Sequence, residues 1–100
     1  MKRRKNRTEK RIINNIRYQR KLFRYSLKDI AFLLGLKSTS VISRWERGKE
    51  RPNMDNLLCL AFIFRTPVES LYFEYRKKLS KPIHQREQLL SAKRKKSHEP

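Results

Sequence analysis

The sequence predicts an all-α fold: a compact bundle of five short helices between basic, partly disordered tails. Three observations carry that expectation. Apolar residues recur at helical spacing through the middle of the chain, with no sustained strand-like alternation. Only two glycines interrupt its 100 residues. Capping and stop residues bracket each apolar stretch.

Ile12, Ile16, Arg20 and Phe23 predict a first helix with a narrow apolar face. Ser26 opens a second: with Asp29 three residues on it forms a capping-box pattern, in which hydroxyl and carboxylate each accept from the other's backbone N–H. Ile30, Ala31, Leu33 and Leu34 are the expected buried face, and Gly35 supplies the left-handed residue that stops the helix. Ser38 is the expected cap of a third helix running to Gly48, with Val41, Ile42 and Trp45 as its apolar positions. Pro52 forbids continuation, and Asn53 caps a fourth helix over about 54–64. Thr66-Pro67-Val68-Glu69 opens a fifth, with Thr66 as cap, Pro67 where no N–H is needed, and Val68, Leu71, Tyr72 and Tyr75 facing inward. Beyond Leu79 the pattern fades. Residues 83–90 suggest a short helix at most, and the following "AKRKKSHEP" reads as a disordered end.

Charge divides the chain in the same way. It has 27 Lys and Arg against 9 Asp and Glu, a formal +18. Residues 1–11 hold 7 basic groups and 1 acidic, residues 76–100 hold 9 and 2, and the stretch between them 11 and 6. The expected organisation is a basic arm over 1–11, a helical domain over 12–79 and a basic tail over 80–100. Self-repulsion on this scale calls for a polyanionic partner. A membrane span is not expected, because the longest apolar run, Leu57–Phe64, is far short of the roughly 20 residues needed. The basic N-terminus lacks the apolar stretch of a signal peptide, since Asn14-Asn15 follows Ile12-Ile13 at once. Cys59, inside the apolar run, reads as a packed thiol of a protein kept in a reducing compartment. There is no Gly-rich phosphate loop, metal-spaced Cys/His set or nucleophile–base pair. No cofactor, metal, small-molecule ligand or catalysis is therefore expected.

The second and third predicted helices, joined by a short turn with glycine, have the helix-turn-helix pattern. In that geometry the second helix of the pair lies in the DNA major groove and its first turns meet base edges. Here those turns hold Thr39 and Ser40, then Ser43 and Arg44. All four share one helical face, while Val41, Ile42 and Trp45 point largely the other way. Arg44 has the fork that pairs with guanine, worth about 1–3 kcal/mol of discrimination. Glu46 is the lone carboxylate of a helix expected to face a polyanion, so it needs an internal cation.

"SLKDIAFLLGL…SVISRWERGKERPNMDNLLCLAFIFRTPVESLY" closely resembles the phage-repressor/Cro-type helix-turn-helix family over about Ile12 to Tyr75. The resemblance rests on Ser26, Ala31 and Gly35 in order with "ISRWERG" and Pro52. It implies base contacts from Thr39, Ser40, Ser43 and Arg44, and phosphate contacts from Arg47, Lys49 and Arg51. It also implies a structural ion pair between Arg20 and Glu46. Leu27 stands where many relatives have a phosphate-binding Gln, a contact that falls instead to Lys28 or Lys37. The chain has one residue more than the usual spacing between Gly35 and Trp45. The resemblance implies a sequence-specific double-stranded DNA-binding transcriptional regulator, most simply a repressor. Such a protein is cytoplasmic and nucleoid-associated, and a homodimer is an expected partner state, with Tyr72, Phe73 and Tyr75 as its contact. Two other readings stay open: a sequence-indifferent packaging protein driven by the tails, and a protein-docking, antitoxin-like module.

Overall fold

The computed structural model describes residues 11–98; all of the expected N-terminal arm except Arg11 lies outside them. Six helices follow in order: α1 Ile16–Leu22, α2 Leu27–Leu34, α3 Ser40–Glu46, α4 Met54–Ile63, α5 Val68–Leu71 and α6 Phe73–His98. No strand occurs among the described residues. Each of the first five helices gives the core one side chain that is wholly shut off from solvent. Ile16, Ile30, Ile42, Leu60 and Leu71, from α1 to α5 in turn, lose all solvent exposure. Each such burial stabilises by about 1.5–3 kcal/mol. Trp45 and Phe64 close the cluster, and α6 adds no fully buried residue.

Local chemistry sets the helix ends. Ser26 Oγ accepts from Asp29 N at 3.0 Å and Asp29 Oδ2 accepts from Ser26 N at 2.8 Å. Asn53 Oδ1 accepts from Asn56 N at 2.8 Å. At the other end of α2, Gly35 has φ +71°, its N–H reaches Phe32 O and the Leu36 N–H reaches Ala31 O. That double closure is the Schellman motif. It recurs after α1, α3 and α4, at Arg24, Gly48 and Arg65, all with positive φ.

Several expectations need correction. The first helix starts at Ile16 rather than Ile12, whose N–H instead bonds Gly48 O at 3.0 Å. Leu33 stays 47% exposed, and Phe23 is 38% exposed, its ring packed on the rim of the core 5.7 Å from that of Phe64. Cys59 is exposed, not packed. It sits on a helix apolar nearly all round, which cannot bury every side; Met54 and Phe62 remain 73% and 71% exposed. Pro67, not Thr66, stands at the α5 cap position, with no side-chain cap bond. The expected fifth helix is divided at Tyr72, whose φ of −128° and ψ of +43° leave the helical region. Beyond Leu79 the helix does not fade but continues to His98 with Pro82 inside it. Its Lys, Arg, Gln, Glu and Leu are strong helix formers, so it persists without a buried face.

Tyr72 also makes a test of packing. Its hydroxyl is buried with no hydrogen-bond partner among the described residues. Burial pushes its pKa up from 10.0 to about 12, and nearby Arg51 only partly opposes this. In the unfolded chain the phenol ionises near pH 10, whereas the folded protein keeps its proton to about pH 12. The unfolded state therefore gains stability in that window and the fold loses it. Wild type is expected to lose stability relative to Tyr72→Phe between pH 10 and 12, and denaturant melts across that range check it; parallel curves would refute the assignment.

Candidate nucleic-acid interface

The α2–turn–α3 unit builds the surface. Two serines hold the turn between α2 and α3. Ser38 Oγ accepts from Ser40 N at 3.1 Å and lies 2.8 Å from Ser40 Oγ. Helix α3 thus begins at Ser40, with Thr39 as the residue before it. Ser40 is exposed, and Thr39, Ser43 and Arg44 are half-buried. The inward face of the same helix is fixed by Ile42 and Trp45, 0% and 2% exposed. A short helix pinned by two fully packed side chains holds its opposite face in one orientation.

The cations fall into two groups around that face. Lys28 on α2 and Lys37 in the turn are exposed, as are Arg47, Lys49 and Arg51 after α3. Lys49 N donates to Arg44 O at 2.9 Å, so the loop folds back over the end of α3. Arg51 also lies near α6, its guanidinium carbon 6.0 Å from the centre of the Tyr75 ring.

Arg20 and Glu46 meet in a two-pronged pair. Arg20 Nε lies 2.6 Å from Glu46 Oε2 and Nη2 lies 3.2 Å from Oε1. Nη1 donates to Tyr25 O at 2.9 Å. The side chains are only 11% and 6% exposed. The pair ties α1 to α3 and directs its carboxylate inward, away from the outer face of α3.

Three further side chains, Asn14, Asn15 and Arg44, fasten the segments around this surface. Asn14 Nδ2 donates to Trp45 O at 2.8 Å, holding the end of α3. Asn15 N and Nδ2 both donate to α5, to Leu71 O and Ser70 O at 2.8 Å each. Two consecutive asparagines just before a helix are the available signal, since such residues cap and latch backbone. The third is Arg44 Nε donating to Glu50 Oε2 at 2.9 Å.

The described residues contain no helix long and apolar enough to cross a membrane, and no group of three His, Cys, Asp or Glu placed to hold a metal ion. The sequence model of a family described as helix-turn-helix matches residues 16–71, from the first residue of α1 to the last of α5. No curated protein matches the chain.

Proposed function

The chain belongs to the phage-repressor/Cro-type helix-turn-helix family of DNA-binding regulators, and from that premise we propose that it is a sequence-specific repressor which reads the major groove with α3. The observation that supports this best is the outer face of α3. Short side chains at Thr39, Ser40 and Ser43 let the backbone approach, Arg44 supplies the fork for a guanine, and buried Ile42 and Trp45 hold the helix behind them. In this reading Lys28, Lys37, Arg47, Lys49 and Arg51 bind phosphates and fix the register. The exposed α6, with nine Lys and Arg against two Glu, adds non-specific attraction. The protein acts as a homodimer in the cytoplasm on the nucleoid, without catalysis or cofactor.

Selection of bound duplexes from a random pool at near-physiological salt tests the proposal. A palindromic motif is expected, and it reports specificity and two-fold symmetry together. Arg44→Ala is expected to remove about 1–3 kcal/mol of discrimination at one base pair per half-site. A flat pool from the wild type would overturn the proposal in favour of sequence-indifferent binding. Discrimination that survives both Arg44→Ala and Ser43→Ala would overturn the residue assignment.

A further inference from the structure

Glu50 is an unexpected residue where it stands. The segment Arg47–Arg51 is otherwise cationic at every position except Gly48, and a carboxylate there is repelled by any polyanion that Arg47 and Lys49 attract. Its contribution to the fold does not account for it. The Arg44–Glu50 pair is 41% and 46% exposed, and exposed pairs of this kind add little to stability.

The geometry gives Glu50 another use. Its carboxylate takes the Nε of Arg44 at 2.9 Å, and Nε is the side edge of the guanidinium. The two terminal amino groups, the end that pairs with guanine O6 and N7, make no hydrogen bond among the described residues. Glu50 itself is positioned by the backbone: Lys49 N and Glu50 N both point at Arg44 O, at 2.9 and 3.4 Å. The Schellman closure at Gly48 thus brings the carboxylate back beside the side chain it holds. A long, flexible arginine is held in one pose before DNA arrives.

We propose that Glu50 is a specificity-determining residue, which positions Arg44 for base reading and penalises its use as a simple phosphate contact. This rests on the reading of α3 as the recognition helix. Without the carboxylate, Arg44 is free to follow the nearest phosphate. Non-specific affinity then rises, and specific affinity loses the advantage of a pre-ordered side chain, a factor of about two to ten.

Three variants of the full chain separate the possibilities: Glu50→Ala, Glu50→Gln and Glu50→Asp. Each is measured against a selected duplex and a random duplex over a range of salt. Aspartate keeps the charge but withdraws it by one methylene, so it isolates positioning from repulsion. The expected result is that the specific-to-random affinity ratio falls about two- to tenfold in the alanine and aspartate variants. Random-duplex affinity is expected to rise in the alanine and glutamine variants only. Melting temperatures stay within about 5 °C of wild type, because an exposed pair is removed. An unchanged ratio in Glu50→Asp would overturn the positioning role, and equal gains on both duplexes in Glu50→Ala would reduce Glu50 to a bulk charge. A ratio that rises would make it a mask over Arg44 and also overturn the proposal. Failure of the α3 reading itself shows earlier and separately, as a wild-type protein with no selected duplex.

Discussion

Replacing Glu46 with alanine is expected to cost the fold about 3–5 kcal/mol, the usual penalty for removing one partner of a buried ion pair. The size follows from what is left behind. Arg20 is 11% exposed, and two of its three nitrogens point at the missing carboxylate. Only Tyr25 O remains to it, at 2.9 Å. A domain this small is expected near the low end of the usual range of about 5–15 kcal/mol, so the variant should be substantially unfolded at growth temperatures. Arg20→Ala should be nearly as damaging, because it leaves Glu46 buried without a cation. The double replacement Arg20→Met with Glu46→Leu should recover most of the loss, since a buried pair exchanged for apolar side chains is often neutral. Urea melts of the four proteins check this. A Glu46→Ala loss below about 1 kcal/mol would show that the pair behaves as a surface contact.

The second large effect is expected at Gly48, and Gly35 provides its control. Both have positive φ, +76° and +71°. Alanine at either incurs the left-handed penalty of about 1–2 kcal/mol. At Gly35 a β-carbon would meet nothing within 4 Å. At Gly48 it would lie 2.5 Å from Ile12 O and 2.8 Å from Ile12 N, both backbone atoms that cannot swing aside. Relief requires moving the 11–15 segment, which breaks the Ile12 N–H bond to Gly48 O and loosens Asn14 from Trp45 O. Gly48→Ala should therefore destabilise by roughly twice as much as Gly35→Ala or more, about 3 kcal/mol or above once the lost hydrogen bonds are included. Thermal melts of the two variants decide it. Equal losses would mean that the close approach of Ile12 is dispensable.

The parts of the fold that were readable were those governed by neighbours in sequence. The Ser26–Asp29 box, the Asn53 cap and the Gly35 stop involve residues at most a few positions apart, and each leaves a residue-type signature. The stops at Arg24 and Arg65 left none, because arginine occupies a conformation that glycine usually advertises. The length of α6 is hidden for the opposite reason: it shows no periodic apolar face, and this helix stands on intrinsic propensity with little burial. The exposure of Cys59 is hidden because an apolar run specifies that burial occurs but not on which side.

At the candidate interface the division is similar. That Thr39, Ser40, Ser43 and Arg44 share a face follows from helical periodicity, and that Glu46 needs a cation follows from charge; both are properties of a local string. Asn14 on Trp45 O, Asn15 on α5 and Glu50 on Arg44 depend on where the backbone of one segment comes to rest beside another. The sequence by itself determined an all-helical chain, the order of its first five helical segments, its family and the polar face of α3. Only the tertiary structure decided which asparagines latch, which apolar residues stay in water, and that the Glu50 carboxylate meets Arg44. Caps and periodicity act over one or two turns of helix. Those other outcomes are set by distances between segments, to which many residue choices at each position are equally compatible until the core has closed.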